Sequence, residues 1–167
     1  MTRAMFDYET FAAAQRIIRL CAERKLTIAT AESCTGGLVA GALTEIAGSS
    51  SSVLCGFVTY SNEAKQRMLG VPEQTLIDHG AVSRETARAM AQGALKNSPA
   101  DLSVAITGIA GPGGGSAEKP VGLVQFAAAL RGGKSIAREE RFGDLSRGEI
   151  RQRSVRVALG MLEELIG

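Results

Sequence analysis

The amino-acid sequence predicts an α/β protein: a three-layer sandwich with a mixed, mostly parallel sheet and helices on both faces. Three observations carry this. Short apolar runs of strand length alternate with longer stretches of helical periodicity. Two later apolar runs flank Gly132-Gly133, as a hairpin requires. Helical stretches stand first and last, enclosing the order βαβαβββ.

The first helix is expected over Tyr8–Lys25. Asp7 suits its N-cap, and Phe11, Ala14, Ile18 and Cys21 form one apolar stripe. A short strand, Thr27–Ala31, is followed by Glu32-Ser33-Cys34-Thr35-Gly36-Gly37, which turns the chain into a helix over Gly37–Ile46. Ser49–Ser52 then leads to Val53–Tyr60, a run so apolar (VLCGFVTY) that it reads as a strand buried on both faces. Ser61 or Asn62 caps a short helix to Leu69, which Pro72 ends. A further turn of helix is expected over Glu73–Asp78, and Ser83 caps a longer helix to Leu95 with Ala87, Met90, Ala91 and Ala94 inward. Leu102–Ile109 is the third strand, before the glycine-rich loop Gly111–Pro120. Val121–Leu130 and Ser135–Phe142 form the hairpin. Ser146 and Glu149 have capping-box spacing, and Ile150, Val157, Met161 and Leu165 stripe the last helix.

Composition narrows the function. The chain has 167 residues and 45 % hydrophobic content, which suits one domain over 1–167. It has 20 glycines, seven aromatics and no Trp, which offers no stacking platform for nucleic acid. A single histidine, His79, excludes a multi-histidine metal site. Cys21, Cys34 and Cys55 make neither a disulfide framework nor a CxxC zinc site. A reduced, cytoplasmic setting is expected. No apolar run reaches membrane-spanning length, and Met1–Glu9 has no apolar stretch of a secretory signal.

Parallel strands joined through helices end at one edge of a sheet, and ligands of open α/β sheets bind beyond that edge. The segments expected there are Glu32–Gly37, Tyr60–Lys65 and Thr107–Gly115. Ser33 is a candidate nucleophile, with helix-N-terminal amides close behind it to stabilise an oxyanion. Lys65 is a candidate base and Tyr60 a candidate proton relay, since His79 lies outside the three loops. Taken singly, each has an ordinary reading: Ser33 or Thr35 as a helix cap, Cys34 as a small buried residue, Lys65 as a solvated helix lysine. The glycine-rich loop is neither a P-loop nor a GxGxxG turn into a helix, because Pro120 and a strand follow. The residues alone support a cleft for a small anionic ligand.

The blocks AESCTGG (31–37), AGSS (47–50), GFVTYSNEAK (56–65), HGAVS (79–83), TGIAGPGGG (107–115) and EKPVGLV (118–124) together resemble the CinA C-terminal domain family. The resemblance extends from about Leu20 to Leu165. It implies a nicotinamide-nucleotide amidase, which hydrolyses the carboxamide of nicotinamide mononucleotide (NMN) to nicotinate mononucleotide and ammonia. It implies Ser33 as nucleophile, Lys65 as base and Tyr60 as an assisting or positioning group. Cys34, Thr35, Gly36, Thr107, Gly108 and Gly111 are implied to contact substrate. Ser50 and an arginine of the last helix, Arg147 or its competitor Arg151, are implied contacts to phosphate or ribose. No metal or cofactor is implied, and a homodimer is. The alternatives are a non-catalytic nucleotide-binding module tied to competence or DNA damage, and a Ser–Lys amidase for another pyridine amide.

Overall fold

The computed structural model describes residues 5–167. The reading of the N-terminal nine residues therefore falls partly, over 1–4, outside the described residues. Six α-helices and five strands are described: α1 Tyr8–Arg24, β1 Ile28–Glu32, α2 Leu38–Thr44, β2 Val53–Val58, α3 Asn62–Leu69, α4 Glu73–His79, α5 Arg84–Lys96, β3 Leu102–Gly108, β4 Leu123–Leu130, β5 Ser135–Arg141 and α6 Arg147–Ile166. A single 3₁₀ turn, Ser49–Ser51, precedes β2.

The sheet order is β2-β1-β3-β4-β5. β1 runs parallel to both β2 and β3, while β4 and β5 continue antiparallel. Alternation along the strands divides the core in two. Ile28, Leu102, Val104, Ile106, Val124 and Phe126 face α1, α2 and α6. Ala29, Ala31, Ala105, Ala127 and Ala129 face α5 and the ends of α3 and α4. The small residues on that second face let α5 lie close to the sheet.

Local sequence rules decide the helix starts. The side chains of Asp7, Ser61 and Ser83 accept from the amides of Thr10, Ala64 and Thr86, and Ser146 and Glu149 close a capping box. α2 differs. Its N-cap is Gly37, which has no side chain to offer, and the buried Glu32 carboxylate takes the amides of Val39 and Ala40 instead, at 2.9 and 3.1 Å. A carboxylate from the preceding strand thus replaces the local Ser or Thr cap that the sequence suggested.

Three expectations change. β2 is an edge strand with alternate residues exposed, not a strand buried on both faces. Its apolar run is real, but hydrophobicity alone does not tell which strand of a sheet lies outermost. In α1, Thr10 and Ile17 are buried while Phe11 lies at the rim, and in α6 Val157 and Leu165 are only partly buried. The β4–β5 turn takes three residues, Arg131 to Gly133, because Leu130 already pairs with Lys134.

Candidate active site

The carboxyl ends of β1, β2 and β3 open into a cleft of about 270 Å³. Its walls include Ser33 and Cys34 after β1, Tyr60, Asn62 and Lys65 after β2, and Thr107 to Gly111 after β3. Three segments distant in the chain therefore converge as the parallel topology requires. Gly113 and Gly114 of the glycine-rich loop, Ala81 and Val82 from the α4–α5 turn, and Arg147 at the start of α6 complete it.

Lys65 lies in the first half of α3, 1 % exposed, and its long side chain reaches back under the β2–α3 junction. Its Nζ is 3.0 Å from Ser33 Oγ, 2.8 Å from the Thr59 carbonyl and 3.3 Å from the Tyr60 carbonyl. Burial pushes the amine down from 10.5 to about 8, while negative charge on Cys34 would oppose this. A neutral amine has two N–H bonds and one lone pair. With the two carbonyls taking the N–H groups, the lone pair is left facing the Ser33 hydroxyl.

Ser33 is itself buried and caps no helix: its Oγ meets Lys65 rather than the α2 amides. Gly36 and Gly37 carry φ of +59° and +99°, and this left-handed pair swings the chain from β1 into α2 behind the serine. The turn is tied by the Ser33 amide on the Ile106 carbonyl and by the Gly36 amide on the Ser33 carbonyl. Burial pushes the Cys34 thiol up to about 11, so it stays protonated at neutral pH.

Tyr60 departs from the relay expectation. Its hydroxyl is not between Ser33 and Lys65; it accepts from Arg147 Nη2 at 2.9 Å, and its ring is 60 % exposed. The part of Tyr60 that touches Lys65 is its backbone carbonyl. Arg147 also donates to the Gly111 carbonyl at 2.8 Å and so bridges the mouth of the cleft from α6 to the glycine-rich loop. Arg151, one turn further on, bonds the carbonyls of Cys34 and Thr35 and does not line the cleft. Of the two arginine candidates, the cleft holds Arg147.

Thr107, Gly108 and Gly111 line the cleft, with Thr107 Oγ1 donating to the Ala81 carbonyl at 2.8 Å. Gly108 is packed so closely that a Cβ there would stand 2.8 Å from a Val124 methyl and 3.0 Å from the Leu123 carbonyl oxygen. Thr35 and Gly36 sit behind the serine turn and do not form the cleft wall. Ser50 is also misplaced: it lies in the 3₁₀ turn at the amino end of β2. The strand separates it from the cleft by about 20 Å at the usual rise per residue. Chain proximity to a strand does not reveal which end of it a residue serves. Asn62, Ile109, Ala110, Gly113 and Gly114 line the cleft from within the expected segments without having been singled out, and the cleft residues outside those segments that sequence reasoning missed are Ala81 and Val82. HGAVS held Ala81 and Val82, but as a helix cap it gave no sign of facing the cleft.

His79 stays outside this cleft, its ring near Glu85. Among the described residues no cluster of three or more His, Cys, Asp or Glu could hold a metal, and no helix is long and apolar enough to cross a membrane.

Fold and cleft together define a three-layer α/β protein that holds a buried lysine against a serine at the carboxyl edge of its sheet. The chain belongs to the CinA C-terminal domain family, whose model matches residues 10–166. It is 51 % identical over 159 residues to a protein of Escherichia coli strain K12 named nicotinamide-nucleotide amidohydrolase PncC, covering 95 % of each. A relative from Symbiobacterium thermophilum, named for competence-damage induction, is 62 % identical over 118 residues, 71 % of this chain but 28 % of its own length. The chain thus spans only about a third of several curated relatives, including 38 % of a CinA-like protein from Mycolicibacterium vanbaalenii. Among solved structures, a competence/damage inducible protein from Agrobacterium tumefaciens superposes with a TM-score of 0.97 at 56 % identity, covering 99 % of this chain and 100 % of that one. A CinA superfamily protein from Klebsiella pneumoniae superposes with a TM-score of 0.89 at 37 % identity, covering 94 % and 97 %.

Proposed function

We propose that this chain hydrolyses the carboxamide of nicotinamide mononucleotide to nicotinate mononucleotide and ammonia, with Ser33 as nucleophile and Lys65 as base. The observation that carries the reading is the 3.0 Å approach of a desolvated Lys65 Nζ to Ser33 Oγ inside the cleft. The 51 % identity to the E. coli nicotinamide-nucleotide amidohydrolase supports the choice of substrate.

The chemistry follows from these groups. Lys65 takes the Ser33 proton as Oγ adds to the amide carbon, which the pyridinium ring makes electrophilic. The ammonium formed on Lys65 gives its proton to the departing nitrogen, and ammonia leaves. Water, deprotonated by the same amine, then cleaves the acyl ester and restores Ser33. Thr107, Gly108 and Gly111 form the wall against which substrate lies. Arg147, at the rim, is the group for the 5′-phosphate. Ammonia release from NMN by the purified chain, compared with NAD and free nicotinamide, tests the reading. Turnover of none of the three would sink it in favour of a binding module.

The domain spans the described chain as one unit on this reading, and it pairs with a second copy through β2. That edge carries VLCGFV, with Leu54 and Val58 exposed and no charge or proline to block pairing. The opposite edge, β5, is guarded by Arg138, Glu139, Glu140 and Arg141. A monomeric mass in light scattering would refute the pairing.

A further inference from the structure

Thr107 stands beside the nucleophile on its β3 flank. β1 and β3 pair in parallel with Glu32 opposite Ile106, and the Ser33 amide on the Ile106 carbonyl carries that register one residue further. Ser33 and Thr107 are therefore neighbours on adjacent strands, about 4.8 Å apart at the usual spacing. By alternation both side chains point to the face of Ala29, Ala31 and Ala105, from which α3 brings in Lys65. Both residues line the cleft.

What Thr107 can do there is limited by where its proton goes. A threonine hydroxyl has one O–H to give and two lone pairs. The O–H donates to the Ala81 carbonyl at 2.8 Å, and among the described residues nothing else donates to that carbonyl. Turning the proton elsewhere would leave the carbonyl without its partner. No donor among the described residues reaches Thr107 Oγ1, so its lone pairs are unused. A hydroxyl whose proton is committed can only accept. It matches a substrate group with N–H to give and mismatches a group that carries only oxygens. Of the two nucleotides in the proposed reaction, the substrate carries a carboxamide –NH2 where the product carries a carboxylate.

We propose that Thr107 is the specificity-determining residue that reads the carboxamide: its Oγ1 accepts from the substrate –NH2 and sets its lone pairs against the carboxylate of the product. This deepens the reading of the cleft given above and rests on it. It gives the wall a direction, with the amide nitrogen toward β3, and it favours release of the acid once ammonia has gone.

Binding separates this role from a merely structural one. Ser33→Ala stops turnover but keeps Thr107, and NMN and nicotinate mononucleotide are each titrated into it by calorimetry at one pH. Charge on Lys65 acts on the carboxylate in every variant, so it cancels when the ratio of the two dissociation constants is compared between variants. Adding Thr107→Val, which keeps the shape and removes the hydroxyl, should lower the preference for NMN about 10- to 100-fold, mostly through weaker NMN binding. Adding Thr107→Ser instead, which keeps the hydroxyl, should leave the preference within about twofold. A displaced α4–α5 turn would weaken both nucleotides alike, so an unchanged preference in Thr107→Val overturns the proposal. Melting curves verify folding, and Thr107→Ala carries the comparison should the valine variant unfold. A wild type that releases no ammonia from NMN overturns the hydrolysis reading alone, because the binding ratios still decide for or against Thr107. Binding of neither nucleotide to Ser33→Ala overturns both.

Discussion

Lys65 Nζ and Ser33 Oγ stand 3.0 Å apart, although 32 residues separate them in the chain. Two backbone carbonyls, of Thr59 and Tyr60, flank the amine, and in its neutral form leave the lone pair to face the serine. The Lys65 amine is thus held by main chain, with Ser33 its one side-chain partner.

The pH dependence follows from the Lys65 environment. With the amine lowered to about 8 by burial, only about a tenth of it is neutral at pH 7. The kcat/KM for NMN should rise with pH and level off above an apparent pKa near 8. A flat profile from pH 6 to 9 would remove Lys65 as the base.

Stability moves with the same group. The folded-state pKa lies below the unfolded value, so the unfolded chain binds more protons between pH 8 and 10.5. Burial of the amine therefore destabilises the fold fully below pH 8, and this is relieved as pH rises toward 10.5. Lys65→Met should melt no lower than wild type at pH 7 while losing at least about 10³-fold in kcat. A clear drop in its melting temperature would show that the three hydrogen bonds outweigh desolvation.

Ser33→Ala should remain folded, since Oγ caps no helix, and should lose nearly all turnover. Tyr60→Phe removes only the hydroxyl that accepts from Arg147. We expect its kcat within about threefold of wild type and its KM raised together with that of Arg147→Ala. A Tyr60→Phe variant as dead as Ser33→Ala would reinstate the phenol as a proton relay.

Gly93 tests the packing that holds Lys65 in place. A glycine-to-alanine change inside a helix normally stabilises by about 1 kcal/mol. In α5, however, a Cβ at 93 would overlap the Leu69 carbonyl oxygen at the end of α3. Gly93→Ala must push away the helix that carries Lys65. Both the melting temperature and kcat should fall, and a stabilised, fully active variant would contradict the close α3–α5 approach.

Glu32→Gln examines the cap of α2. The carboxylate offers two acceptor oxygens to the amides of Val39 and Ala40, whereas a carboxamide offers one and sets an N–H against the other. Loss of about 1 to 3 kcal/mol in denaturant unfolding is expected for the unsatisfied donor.

The sequence by itself determined the layered α/β class, the element order and four helix starts, because periodicity and caps act within a few residues. It also brought Ser33, Lys65 and the glycine-rich loop to one sheet edge, because parallel strands joined by helices end on the same side. It could not rank the strands: VLCGFV is apolar enough for a sheet centre, yet β2 is an edge. It could not tell that Ser50 lies at the far end of that strand, nor that the Tyr60 hydroxyl turns to Arg147. Only the tertiary structure decided which arginine of α6 faces the cleft, since Arg147 and Arg151 lie one turn apart on the same helix side and differ by what packs against them. The same holds for Lys65. Lysine is ordinarily solvated, and it is the closure of β1, β2 and α3 around Lys65 that strips its water and lowers its pKa.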